Sequence, residues 1–308
     1  MIPVLDVSRF TRNDADGFVA DLGKACRETG FFVIANHGLP TGLRARAFEE
    51  AASFFSLPNE QKEALSITKN PHNRGYSQLG TEFLDEKSGV RDCKEAFNIG
   101  LNLAADDPRV VAQEPFRGVN IWPDLPNFKS VMVEYFDAVL NLGRALHRAI
   151  SRDLGLEDAF FEPHLTEPLA TLRLLRYPPA NGSDGEIGAG AHTDYGTITL
   201  LTTDGVPGLQ VQPRVGDWID VPQVDDAFII NIADLLMRWT NDTYVSTPHR
   251  VLTPPKERFS LAFFLDPNPD SVVEALPGTG SPKYPPVTGA DYLASRLNAT
   301  YDHVFGTG

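Results

Sequence analysis

"AHTDYGTITLLTTDG" (residues 191–205) places His192 and Asp194 two residues apart at the head of a run where Thr alternates with apolar residues. Such a run reads as a strand, and residues i and i+2 of a strand project to the same face. An imidazole and a carboxylate are therefore expected side by side where a sheet surface opens. The pair serves equally as two ligands of a metal, as a catalytic dyad or as a buried ion pair. The rest of the chain has to separate these.

Working outward, "TLRLLRYP", "GLQVQP", "DWIDVP", "AFIINIAD", "HRVLTP" and "RFSLAFFLD" are further short segments rich in Val, Ile, Thr and Phe, all between Thr171 and Asp266. Pro-Pro, Asn-Gly, Asp-Gly and Pro-Gly pairs punctuate them. Many short strands with turn signals between them predict a barrel or a double-sheet jelly roll, not a doubly wound sheet. The first half is mixed and helix-rich. "PVLDVS" and "FFVIANHGLP" read as strands, "DADGFVADLGKACRETG" as a helix closed by Gly30, and "GLRARAFEEAASFFSLP" as a second helix ended near Pro58. From Asn127 to Leu156 apolar residues keep helical spacing (Phe128, Val131, Met132, Tyr135, Phe136, Val139, Leu140, Leu146, Ile150), a stripe expected to pack on a sheet.

The 308 residues are 42% hydrophobic and 22% charged, the balance of a globular protein with a sizeable core. A net charge of −14 argues against nucleic acid or an anionic membrane surface as partner. No stretch reaches the roughly 18–20 apolar residues of a membrane span, and the N-terminus lacks signal-peptide character. Cys26 and Cys93 are the only cysteines, so a cytoplasmic protein without a disulfide framework is expected.

His249 opens a second strand segment, "HRVLTP". Two imidazoles and a carboxylate can occupy one face of an octahedral metal and leave three positions for a co-substrate and dioxygen. Zinc prefers tetrahedral closure, often with thiolates, and neither cysteine is near in sequence. A His–Asp hydrogen bond with an unrelated His249 is the plain alternative. Arg258 and Ser260, in "ERFS", share a strand face, and a guanidinium beside a hydroxyl can hold a carboxylate. Tyr177 can add a phenolic donor, while pairing of Arg258 with Glu257 is the structural alternative. His37 reads as a turn residue, and His72, His147, His164 and His303 are not assigned to the metal.

With these motifs the chain resembles the Fe(II)- and 2-oxoglutarate-dependent dioxygenases of the isopenicillin N synthase-like branch. The resemblance runs through "IPVLDVS", "CRETGFFVIANHGLP", "RGYSQLG", "HTDYGTITLL", "GLQVQ", "DWIDVP", "NIADLLMRWTNDTYVSTPHRV" and "RFSLAFFLDPNPD". It implies a mixed α+β protein, mainly β, with a double-stranded β-helix (jelly roll) flanked by helices. It implies one oxygenase domain over 1–308, with a helix-rich part to residue 95, a core over about 96–270 and a C-terminal loop and helix. His192, Asp194 and His249 are implied as iron ligands, and Arg258, Ser260 and Tyr177 as contacts to 2-oxoglutarate. Phe97, Arg173, Phe264 and Asp266 are the implied substrate-pocket residues, with Arg173 holding an anionic group or pairing with Asp266.

The implied reaction uses Fe(II), 2-oxoglutarate and O2, with ascorbate as a stimulant, to hydroxylate, desaturate or cyclise a small molecule. A monomer is expected. The chain departs from the pattern at Leu175, where plant members often carry Asn, and at Ala233, where Gly is usual. A same-fold Fe(II) oxidase that ignores 2-oxoglutarate is the rival reading, and a non-enzymatic jelly-roll binding protein a second. Isopenicillin N synthase carries a glutamine near its C-terminus that can ligate iron. Here the last glutamine is Gln223, which favours 2-oxoglutarate.

Overall fold

A computed structural model describes residues 1–12, 14–82, 84–85, 90–180 and 185–300. The first strands and helices follow the hydrophobic pattern. β1 (Val4–Asp6) pairs in parallel with β2 (Phe31–Ala35), and the helix Ala15–Glu28 between them buries Phe18, Leu22, Ala25 and Cys26 at helical spacing. Gly30 ends that helix with φ +63°, and its N–H donates to the Ala25 carbonyl at 2.9 Å. A side chain is excluded here: a Cβ on Gly30 would lie 2.1 Å from the Val245 carbonyl oxygen. The backbone therefore turns directly from helix into β2.

The remaining strands of the two main sheets are β3 (Gly75–Ser77), β4 (Glu95–Ile99), β5 (Thr171–Tyr177), β6 (Ala189–His192), β7 (Ile198–Thr203), β8 (Leu209–Val211), β9 (Ile219–Asp220), β10 (Phe228–Ile232), β11 (His249–Val251) and β12 (Arg258–Leu265). The larger sheet runs β1-β2-β10-β7-β12-β5-β4-β3 and the smaller β6-β11-β8-β9. All pairings except β1–β2 are antiparallel. This is the expected jelly roll, a mixed α/β protein around a large antiparallel core. The part of the chain before residue 95 contributes β1, β2 and β3 to the larger sheet.

Alternation divides that sheet into two faces. Leu172, Leu174, Leu200, Ile230, Leu261, Phe263 and Leu265 share a core with the helix Phe128–Asp153. Phe136 meets Phe263 edge-on at 4.9 Å, and a Cβ on Gly143 would sit 2.7 Å from Leu265, so the helix lies close on the strands. The opposite face carries Ala96, Leu175, Tyr177, Ile229 and Ala262, which cluster with Ala189, Leu209, Val211 and Val251 of the smaller sheet. The two sheets thus enclose a cavity that also holds polar side chains. The helix Gly289–Thr300 contributes Leu293 and Leu297 to its lining. Among the described residues no helix is long and apolar enough to cross a membrane.

Candidate metal centre and substrate cavity

His192, Asp194 and His249 converge, with one potential ligand atom from each lying within 4.8 Å of the others. A shared strand face is not what brings the first two together. β6 ends at His192, and Asp194 lies in the turn before β7. His192 instead stands opposite His249 in the β6–β11 register, and the two rings are 4.3 Å apart. The turn carries Asp194 back toward them. Its carbonyl accepts the Asp234 N–H at 2.9 Å, and its Oδ2 accepts from Thr199 Oγ1 at 2.5 Å and Asn231 Nδ2 at 2.8 Å.

The free atoms of the three side chains point at one another. His192 Nδ1 lies 2.7 Å from the Gly190 carbonyl and His249 Nδ1 3.3 Å from that of Thr247. A carbonyl only accepts, so each Nδ1 carries the proton and each Nε2 presents a lone pair. The Nε2 atoms lie 3.7 and 3.6 Å from Asp194 Oδ1. Burial, then the neighbouring His249, holds His192 down near 3, so it is a neutral imidazole at ordinary pH. Burial works against an ionised Asp194, yet His249, His192, Thr199 and Asn231 together hold it below the usual carboxylate range. Two neutral nitrogens and one carboxylate oxygen around a point suit a divalent first-row metal.

Arg258 is 1% exposed and has no carboxylate partner among the described residues. Its Nε donates to the Val206 carbonyl at 3.1 Å, and its guanidinium lies 4.8 Å from the centre of the Tyr177 ring. Glu257, the alternative partner, is engaged by Arg176 at 2.7 Å. Ser260 shares the Arg258 face of β12, with its Oγ 3.5 Å from the guanidinium. Tyr177 and Leu175, cross-strand from Arg258 and Ser260, line the cavity that the three converging side chains also line. A buried guanidinium without a counter-charge is unfavourable unless an anion joins it.

The expected substrate residues divide. Arg173, Phe264 and Asp266 line the cavity, whereas Phe97 does not. Phe97 points to the helix side of β4 and packs on Phe54 with ring centres 4.4 Å apart. Its neighbour Asn98, cross-strand from Arg173, takes the cavity position. The alternation Lys94, Ala96, Asn98 in "KEAFN" carried that signal. Arg173 pairs with Glu82 and not with Asp266. Lys94 pairs with Asp92 and, at 3.1 Å, with Glu82. Burial opposes the charge on Lys94, but Glu82 and Asp92 outweigh it and keep the ammonium protonated. Asp92 also accepts the Gly190 N–H at 2.8 Å, next to the carbonyl that orients His192. Asp92, Lys94, Glu82, Thr199 and Asn98 are site residues that sequence reasoning missed.

The other departures are accommodated. Ala233 has an extended backbone (φ −106°, ψ 173°), open to any residue. Gln223 lies with its Oε1 on Thr203 Oγ1, and the tail beyond Thr300 lies outside the described residues. His37 binds the Asp226 carbonyl at 3.0 Å and His147 that of Gly143 at 2.8 Å, both away from the centre.

Comparison with known proteins points the same way. A profile described as the N-terminal region of non-haem dioxygenase in morphine synthesis matches residues 2–125, and one described as the 2OG-Fe(II) oxygenase superfamily matches 168–267. The chain is 37% identical to the 2-oxoglutarate-Fe(II) type oxidoreductase hxnY of Emericella nidulans, over 97% of this chain and 90% of that one. It is 34% identical to the clavatol oxidase claD of Penicillium crustosum, over 97% and 96%. Among solved structures, a full-length Neurospora crassa protein in complex with alpha-KG and thymine superposes with TM-score 0.85 at 33% identity, covering 97% of this chain and 96% of that one.

Proposed function

Because the chain belongs to the 2OG-Fe(II) oxygenase superfamily and is a non-haem Fe(II)- and 2-oxoglutarate-dependent dioxygenase, we propose that His192, Asp194 and His249 hold its iron and that Arg258, Ser260 and Tyr177 seat its 2-oxoglutarate. The reaction couples oxidative decarboxylation of 2-oxoglutarate to O2-dependent oxidation of a small molecule. The metal supplies the activation of oxygen when bound. The chain's own residues fix ligand geometry, bind the co-substrate and exclude water.

The observation that carries the assignment is the convergence of two Nε2 atoms and one Asp194 oxygen within 4.8 Å, with each opposite atom already bonded. Those outer bonds lock the imidazole tautomers and the carboxylate rotamer before a metal arrives. Arg258 supports the co-substrate assignment, since a dicarboxylate is the anion its buried guanidinium lacks. The oxidase rival is not favoured, because hxnY of Emericella nidulans carries 2-oxoglutarate in its name and the Neurospora crassa structure holds alpha-KG. The same reading takes residues 1–308 as one oxygenase domain and the protein as a monomer in the cytoplasm, a compartment with which the two free cysteines agree.

Succinate release from 2-oxoglutarate, measured in air with Fe(II) and ascorbate, tests the assignment. The parent protein should release succinate slowly even without a prime substrate, and His249→Ala should release none above the protein-free rate. Release by His249→Ala at the parent rate would remove His249 from the metal site.

A further inference from the structure

Among the described residues, two buried polar side-chain atoms on the cavity wall have no hydrogen-bond partner, Asn98 Oδ1 and Asp266 Oδ1. Asn98 is 1% exposed and Asp266 3%. Both atoms are oxygens. Asn98 uses its Nδ2 on Asn73 Oδ1 at 2.8 Å, which leaves its carbonyl turned away from that amide. Asp266 follows Phe264, another cavity residue, just past the end of β12, and a Cβ on Gly196 would lie 2.9 Å from its Oδ1.

Charge on the same wall is already balanced. Lys94 and Arg173 face Asp92 and Glu82, two cations against two carboxylates. Arg258 lies under Tyr177, at the opposite end of β12 from Asp266. That leaves Asp266 as the one cavity carboxyl outside the metal centre with no described cation on it. A buried acceptor without a donor is disfavoured by about 1–3 kcal/mol, so its retention in a cavity points to a ligand that donates. Burial, then the charge of Asp194, pushes the Asp266 carboxyl up to about 7, which agrees with a group no donor stabilises.

We propose that Asp266 and Asn98 select the prime substrate by accepting hydrogen bonds from it, and that this substrate is an uncharged small molecule bearing N–H or O–H donors and not a carboxylate. The assignment rests on the cavity being the dioxygenase site and adds to it the chemical class that enters. A carboxylate brought beside Asp266 would find no free cation there, and like charge whenever Asp266 is ionised. Phe264 supplies an apolar surface beside the polar anchor, so a compact ring with a donor on its edge suits the wall.

Four five-membered-ring probes test this on the anaerobic Fe(II)·2-oxoglutarate protein: 2-pyrrolidone, N-methyl-2-pyrrolidone, cyclopentanol and cyclopentanecarboxylate. Binding is read as a saturable change in the charge-transfer absorption of the complex. Absence of that absorption in the parent before any probe is added would count against the iron and 2-oxoglutarate assignment, separately from this one. With it present, 2-pyrrolidone or cyclopentanol should bind about tenfold more tightly than the N-methyl compound or the carboxylate, the factor expected for one hydrogen bond to a carboxyl. Whichever of the two binds better tells N–H from O–H. Asp266→Leu should abolish the preference, and Asp266→Asn, which keeps an acceptor oxygen, should retain most of it. Equal or tighter binding of the carboxylate or N-methyl probe, no saturable change with either donor probe at its solubility limit, or an undiminished preference in Asp266→Leu would overturn the proposal. If Asp266→Leu does not fold, the order of the probes on the parent and on Asp266→Asn decides.

Discussion

His192 and His249 face each other across two hydrogen-bonded strands, with ring centres 4.3 Å apart and each Nδ1 directed at a backbone carbonyl two residues earlier in its own chain segment. Strand register therefore sets the spacing of the two Nε2 atoms, and local backbone sets their tautomers. Only Asp194 is placed by side chains, through Thr199 and Asn231.

That division makes Asp194 the sensitive ligand. Asn231→Leu and Thr199→Val each remove one donor from its Oδ2 while leaving all three ligands in place. Each should weaken Fe(II) affinity by about 10- to 100-fold, the range seen when such outer partners are lost. Equilibrium titration against a competing chelator measures it, and unchanged affinity in both variants would mean that the turn alone positions Asp194.

Arg258→Ala should weaken 2-oxoglutarate binding far more than Ser260→Ala does. Loss of a buried, hydrogen-bonded charge partner costs about 2–5 kcal/mol, whereas loss of one neutral donor costs about 1 kcal/mol. Arg258→Lys should recover only part of the loss, because the planar fork is replaced by a point charge. Titration of the anaerobic Fe(II) protein with 2-oxoglutarate compares the three. Equal small effects would place the distal carboxylate elsewhere.

The convergence of His192, Asp194 and His249 and the shared strand face of Arg258 and Ser260 were legible in the sequence, through the His-x-Asp spacing, the strand pattern of "ERFS" and the family resemblance. The strand-face reason for pairing His192 with Asp194 does not hold, since β6 stops at His192 and the contact comes from a turn. Phe97 was misplaced because β4 is buried on both faces (Glu95 through Ile99), so burial alone does not tell the cavity side, and the alternation Lys94, Ala96, Asn98 that marks it was passed over. Glu82 and Lys94 were missed because their partners lie on other elements, and no spacing within one segment reports a contact such as Arg173 with Glu82. The helical segments were the clearest, Gly30 among them, because stripe and cap are both local.

Gly30 gives a stability prediction. Gly30→Ala must adopt φ near +63° and place its Cβ against the Val245 carbonyl, a backbone atom that cannot swing aside. A loss of about 2 kcal/mol or more is expected, above the roughly 1–2 kcal/mol of left-handed strain alone. Chemical denaturation of the metal-free protein measures it. A loss within a few tenths of a kcal/mol would mean the helix end relaxes freely.

His147 sets a pH dependence remote from the metal. It is buried in the long helix, and burial pulls its imidazole from 6.5 down to about 4, against the opposing bond to the Gly143 carbonyl. Between those values the unfolded chain binds a proton that the folded chain does not, so stability falls as pH drops from about 6.5 to 4. The effect reaches up to about 3 kcal/mol. His147→Leu removes it, so its stability relative to the parent should rise by about 2 kcal/mol between about pH 7 and pH 4.5. A difference independent of pH would show that His147 takes up a proton as readily in the folded protein as in the unfolded chain.

The central claim is that three named side chains and one buried arginine form a single iron and 2-oxoglutarate site. A crystal structure of the anaerobic Fe(II)·2-oxoglutarate complex tests it most directly. The account predicts one metal ion at about 2.0–2.2 Å from His192 Nε2, His249 Nε2 and an Asp194 oxygen, with the distal carboxylate of 2-oxoglutarate on Arg258. Metal bound without Asp194 or His249, or 2-oxoglutarate held away from Arg258, would contradict it.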